Sequence, residues 1–283
     1  MKYKHILSQS HILLKEFYID NHLIANIKNS TGIININGIE IGIKKDSTFI
    51  IPKFSHISCS VTQQNHAQIE LELLLISEKT LTDAFTNLSA ITHIGAQAKT
   101  NTPNYFVETP ETITNNFALF QQALPILGDL QLEQCFLKQS LVFILMALDE
   151  ANVDVFNVFR FNYDEPKERM IAQLITLDPK RKWSVDDMAK ALFTTQSTLR
   201  RHLAKEGVSF SQLLLDIRMG IALNYLTFAN YSISQISHCS GFGSAAYFCD
   251  AFKRKYGITP SQFRTNSREN NDMHALNRLT PTQ

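Results

Sequence analysis

The 283-residue sequence predicts an α+β chain: an N-terminal β-barrel with helices, then an all-α C-terminal part made of two helix-turn-helix units joined by a linker helix. Three observations carry this reading. Short β-branched runs broken by turn residues fill Phe17 to Ser77, two helix-turn-helix patterns follow residue 180, and basic charge gathers around those patterns.

The strand region reads as GIININ, an Asn37-Gly38 turn, IEIGI, a Lys45-Asp46-Ser47 turn, TFIIP and QIELELLLI. Gln68, Glu70 and Glu72 alternate with Ile69, Leu71 and Leu73, the period of two expected of half-buried strands in a small antiparallel barrel or sandwich. SEKTLTDAF then resembles a capped helix start, with Ser77 or Thr80 as N-cap. Thr100 to Thr114, rich in Pro, Thr and Asn, reads as a loop. Asn115 to Ala151 forms two helices broken near Pro125-Gly128, and the second is apolar almost all round from Leu141 to Leu148. A helix of that kind must be buried, against its own barrel or against a partner subunit. Asn152 to Asp164 reads as a linker, so the domains run 1–160 and 165–268, with a flexible tail over 269–283.

Several function classes fall away. The longest apolar run, Leu141 to Leu148, has eight residues, against the roughly 20 needed to span a bilayer. The start, MKYKHILSQSH, lacks the apolar core of a signal peptide, which points to a cytoplasmic protein. Cys59, Cys135, Cys239 and Cys249 are scattered without a C-x-x-C pair, so no zinc site or disulfide framework is indicated. His56 and His66 stand ten apart without the spacing of a metal site. No G-x-S-x-G, P-loop, G-x-G-x-x-G or H-E-x-x-H occurs, so neither catalysis nor a cofactor is expected.

The net charge of +1 conceals an asymmetry. Residues 165–268 hold 15 Lys and Arg against 8 Asp and Glu, while the rest hold 12 against 18. A +7 segment beside a −6 remainder suits a polyanionic partner, because neutralising phosphates releases counterions.

In WSVDDMAKALFTTQSTLRRHLAKEGVSF, Ser184 caps a helix through Val185, Met188, Ala189 and Leu192, and a turn follows at Phe193-Thr194. A second helix from about Thr195 to Lys205 buries Leu199 and Leu203 while Gln196, Ser197, Arg200 and Arg201 point outward. Such a helix can enter a major groove about 12 Å wide, where Arg200 is suited to a guanine and Arg201 to a phosphate. In YSISQISHCSGFGSAAYFCDAFKRKYGITPSQFR, Ser232 caps a helix through Ile236, Gly241 breaks it, and Ser244 begins another that ends at Gly257. FSQLLLDIRMGIALNYL between the units has helical periodicity and the length to hold them about one DNA turn apart at roughly 1.5 Å per residue.

This arrangement resembles the AraC/XylS family of bacterial transcription regulators. The matching positions are Ser197-Thr198-Leu199, Arg201 and Leu203; Arg218, Ala222 and Leu226 in the linker; and Ile236, Gly241-Phe242, Ser244, Tyr247-Phe248, Phe252-Lys253, Gly257, Thr259-Pro260 and Phe263-Arg264 in the second unit. The resemblance covers about 100 residues and implies a sequence-specific transcription regulator, an activator of the virulence type, whose partners are double-stranded promoter DNA and RNA polymerase at the bacterial nucleoid. It departs from the family at Ala245, Ala246 and Asp250, where polar or basic residues are usual. The first unit is therefore expected to supply most base readout, and the second to anchor through Ser244, Tyr247 and Lys253 and read shape.

The resemblance also implies a cupin-like N-terminal barrel for sensing and dimerisation. The strand-then-helix order is most similar to the ToxT/Rns/HilD virulence-regulator branch, in which the barrel takes long-chain fatty acids. An apolar effector of this type needs cations at the mouth of its tunnel, and His22 and Lys28 are the candidates. Control by a partner protein is the alternative, and the 131–150 helix is the candidate homodimer contact.

Overall fold

The computed structural model describes residues 1–9, 11–65, 67–91, 104–159 and 167–265. His66 and the expected tail lie outside the described residues. Strands begin earlier than the sequence pattern suggests: β1(Lys2–Ser8) and β2(Ile12–Tyr18) precede β3(His22–Lys28), β4(Ser30–Ile36), β5(Ile39–Ile43), β6(Ser47–Ile51), β7(His56–Gln63) and β8(Ile69–Ile76). Then come α1(Glu78–Ile91), β9(Phe106–Glu108), α2(Glu111–Leu127), α3(Leu130–Glu150) and α4(Val155–Phe159). The C-terminal half is helical, with α5(Lys167–Leu177), α6(Val185–Ala191), α7(Gln196–Lys205), α8(Phe210–Phe228), α9(Ile233–Cys239) and α10(Ala245–Tyr256).

The strands form two antiparallel sheets, in the orders β1-β8-β3-β6-β9 and β2-β7-β4-β5, which face each other instead of closing into one ring. Ala25, Ile27, Phe49, Ile51 and Ile69 from the first sheet and Phe17, Ile34, Ile36, Ile57 and Val61 from the second are buried in one core. Asn37 and Gly38 both have positive φ, 53° and 83°, the backbone of a tight hairpin turn between β4 and β5. The expected loop 100–114 is corrected in its second half: Phe106 to Glu108 adds a strand beside β6, and helix begins at Glu111. Backbone pairing decides the first of these, since Ser47 to Phe49 offers a ladder to any extended segment.

The second correction concerns the polar face of β8. It meets helix α2, not solvent, and Glu72 is fully buried. Its carboxylate accepts from Tyr3 Oη (3.1 Å), Asn26 Nδ2 (2.9 Å) and Gln121 Nε2 (2.9 Å) and pairs with Lys28 Nζ (2.9 Å). Burying a carboxylate is tolerable only with such a set of donors. Beside it, Glu70 is held down at about 2, first by its hydrogen bond with His5 and also by Lys28 and Gln121.

Helix α3 buries Leu137, Leu141, Ile144, Leu145 and Leu148 within the chain. Of the two burials open to it, its own subunit accounts for this face, although Leu132 and Phe143 are exposed.

The hydrophobic cores do not divide along the sequence. Ile236, Phe242, Phe248 and Phe252 of the last helices join the core of the N-terminal sheets, whereas Tyr18 of β2 lodges in a separate cluster with Ile171, Met188, Leu199 and Ile217. Helix α8 lies on β2 so closely that a Cβ on Gly220 would come within 1.6 Å of the Tyr18 carbonyl oxygen. One turn on, Asn224 donates to Asp20 at 2.8 Å.

Gly220→Ala should lower stability by about 2 kcal/mol, as overpacked sites do, measured by urea unfolding; an unchanged midpoint would mean that the helix lifts from β2 without cost. Glu70 contributes stability above its ordinary value of 4.5 that disappears as pH falls to about 2. In acid titrations Glu70→Gln should therefore lose less stability over that window than the wild type, and equal losses would show that the pairing contributes nothing.

Candidate nucleic-acid interface

The first helix-turn-helix unit is built from local signals. Ser184 accepts from the Asp187 amide at 3.0 Å and Asp187 Oδ2 accepts from the Ser184 amide at 3.1 Å, a reciprocal cap that starts α6. Phe193 makes the turn with φ of 51°, a left-handed conformation that suits glycine better. Thr195 caps α7, accepting from Thr198 N at 3.1 Å. Leu199 and Leu203 face the core, and Gln196, Ser197, Arg200 and Arg201 are all exposed, forming one outward surface. Gln196 Nε2 donates to Asp186 Oδ1 at 2.8 Å, which steers that amide before any duplex arrives.

The second unit repeats the plan. Ser232 and Gln235 cap α9 reciprocally, at 2.8 and 3.2 Å, and Ser244 caps α10 by accepting from Tyr247 N at 3.2 Å. Gly257, at φ of 82°, ends α10, and Thr259 and Gln262 cap the helical residues 260–265. An aromatic column of Phe242, Phe248, Phe252 and Phe263 holds the unit together, with ring centroids 4.9 to 5.8 Å apart. Ser244, Ala246, Tyr247, Asp250 and Lys253 are exposed, and Ala245 is half-buried. The outward face of α10 thus carries an acid between two alanines and a lysine, and its cations sit in the last turn.

Helix α8, about 28 Å long at 1.5 Å per residue, ties the two units to each other. Asp216, buried on α8, accepts from Lys255 of α10 and from Gln212 at 2.8 Å. Burial pushes the Asp216 carboxyl up, and Lys255 opposes this. Arg218 donates through Nη2 to the carbonyls of Pro179 (3.1 Å) and Arg181 (3.0 Å), in the segment that leads into α6. Arg181 stacks on Trp183, whose indole donates to Asp178 O at 2.9 Å. The sequence pattern gives Arg218 a place in the linker but no task; a single cation amid LLLDI and MGIAL was the available signal. Phe193, which the sequence pattern places in the turn, is 99 % exposed.

The candidates for an effector, His22 and Lys28, are not brought together. They begin and end the seven-residue strand β3, which puts them about 20 Å apart. His22 Nδ1 accepts from Lys53 N at 3.1 Å and Nε2 meets Glu78 Oε2 at 3.1 Å, while Lys28 pairs with Glu72 and Glu70. A cleft of about 750 Å³ opens elsewhere, where Leu13, Ile33 and Ser60 of the second sheet face Leu215, Ala251 and Arg254 of α8 and α10. Lys15 also lines it, and neither Lys15 nor Arg254 has an ion-pair partner among the described residues.

A helix-turn-helix domain family matches residues 188–266. The chain is 52% identical over 282 residues to the urease operon transcriptional activator of Escherichia coli, covering 99% of this chain and 95% of that one. It is 34% identical over 128 residues to the DNA-binding dual transcriptional regulator Rns of Escherichia coli, 44% of this chain and 47% of Rns. ToxT from Vibrio cholerae has the same fold, with a TM-score of 0.67 at 19% identity over 94% of this chain and 98% of ToxT. A further ToxT structure holds an unsaturated fatty acid and superposes with a TM-score of 0.66 at 19% identity, covering 94% and 95% of the two chains. The urease operon activator and Rns are regulators of transcription, not enzymes, and the activator's likeness over nearly the whole chain, with the helix-turn-helix family match, assigns it: the chain belongs to the AraC/XylS family of DNA-binding transcription activators.

Proposed function

We propose that the protein activates a urease operon, or one related to it, by binding upstream promoter DNA and contacting RNA polymerase. The near end-to-end likeness to a urease operon activator carries this reading. Gln196, Ser197, Arg200 and Arg201 read and hold the duplex through α7, and their common exposure on a capped, rigid helix supports that role. Ser244, Ala245, Ala246, Tyr247 and Lys253 form the second contact, which follows the shape of the DNA more than its bases. Residues 1–160 control occupancy and residues 165–268 bind DNA.

An apolar acid such as a long-chain fatty acid is the effector class that the ToxT complex suggests. The inter-domain cleft offers it a better site than His22 and Lys28, because Leu13, Leu14, Ile33 and Leu215 line it with the cations Lys15 and Arg254, which must outweigh Glu16 and Glu40 in the same lining. A protein partner is the second reading, favoured by the exposed Ile126, Leu130, Leu132 and Phe143 of the α2–α3 hairpin. A second copy of the chain, meeting this one through residues 131–150, would cover the same patch.

Binding to a urease-operon promoter duplex at fixed salt, against a scrambled duplex, tests the main reading. Specific binding weakened by an unsaturated fatty acid supports an apolar effector, and indifference to it turns attention to protein partners. Arg200→Ala should cost roughly 1–3 kcal/mol on cognate DNA and relax preference at one base pair. Equal loss on every sequence would make Arg200 a phosphate contact.

A further inference from the structure

A regulator with two reading helices must present them at one separation and one relative angle, because each added base pair moves the second site by about 3.4 Å and turns it by about 35°. The helix-turn-helix units could be joined by α8 alone, which would leave both angles to the bending of a single helix. The structure instead contains a second, direct contact between them. The segment 179–181 at the entrance to the first unit lies against Gly241, the turn residue of the second unit. A Cβ at Gly241 would fall 1.8 Å from the Pro179 carbonyl oxygen and 2.8 Å from Arg218 Nε. Gly241 also has φ of 81°, so the site selects glycine both for conformation and for space.

Arg218 stands at the meeting point. It comes from the middle of α8, and one guanidinium nitrogen gathers the carbonyls of Pro179 and Arg181 while Nε is buried against the second unit's turn without a hydrogen-bond partner. The two carbonyls belong to the loop that Trp183 and the Ser184–Asp187 cap hold rigid. Linker helix, first unit and second unit therefore converge on one side chain.

We infer that the junction of Arg218, the 179–181 carbonyls and Gly241 sets the half-site spacing that this protein reads, with Arg218 as a positioning residue that itself stays off the DNA. The planar guanidinium fixes the direction of both N–H bonds from Nη2, whereas a lysine ammonium has donors for two carbonyls but carries them on a flexible stem that sets their position less firmly. Loosening the junction should leave each reading helix intact and widen the range of spacings accepted.

The test uses the full chain and a promoter duplex on which the wild-type protein protects two major-groove segments in a footprint. Affinities are then compared for that duplex and for versions with one or two base pairs inserted between the segments. The wild type should lose about tenfold or more for one inserted pair, a loss of the size that a mismatched contact produces. Arg218→Gln should lose about threefold or less for the same insertion, with Arg218→Lys between the two, when all are measured at fixed salt. Gly241→Ala, which pushes the same contact apart from the other side, should flatten the profile too. Thermal melts establish which variants fold, and if Arg218→Gln does not, Arg218→Lys and Gly241→Ala carry the comparison. The proposal is overturned if folded variants keep the wild-type penalty for insertion, if they lose affinity equally at every spacing, or if the wild type itself tolerates the insertion.

Discussion

Gly220 brings the axis of α8 against the backbone of β2, and the other long-range contacts of the helix depend on that approach. With α8 seated there, Asp216 faces Lys255, Arg218 reaches the carbonyls before α6, and Asn224 meets Asp20. Successive turns of one helix thus hold the second reading helix, the first unit and the N-terminal sheets. A shift of α8 by a few tenths of an ångström along β2 would be felt at all of them, because close-packed interiors transmit displacement.

That arrangement gives the N-terminal half a physical route to the DNA. Helix α10 shows Tyr247, Asp250 and Lys253 to the outside and lines the inter-domain cleft with Ala251 and Arg254. Anything that widens the cleft would work directly on α10, the helix proposed as the second DNA contact. The first unit is coupled differently, through Tyr18, whose ring is part of that unit's own core. The outward face of α10 carries Ala246 and Asp250, while its inner face lines the cleft.

Local chemistry made much of this legible in the sequence. Ser184, Thr195, Ser232 and Ser244 each precede a helix they cap, and Gly257 ends α10 in the left-handed conformation, so both units and their outward faces can be drawn from residue order alone. The Asn37-Gly38 turn was equally plain. What the pattern concealed depends on distant partners. The β1 run KYKHILS carries no strand signal of its own until β8 pairs with it, and Glu72 looks like a solvent residue until α2 covers it. Arg218 bonds carbonyls 39 and 37 positions earlier, and main-chain acceptors leave no mark on composition. His22 and Lys28 fail to converge for a local reason: the one strand that carries both keeps them apart.

The crossing of the two cores has a consequence for how such proteins can be recombined. A cut near residue 160 separates the halves in sequence, yet it would strip the first DNA-reading unit of Tyr18 and leave Phe242, Phe248 and Phe252 without the sheets whose core they share. In a chimaera assembled at that point, β2 from one parent would meet α8 from the other, and the glycine of one would have to match the strand of the other. The heritable module in this chain is accordingly a surface shared by two distant segments, and exchange between relatives must carry β2 and α8 together.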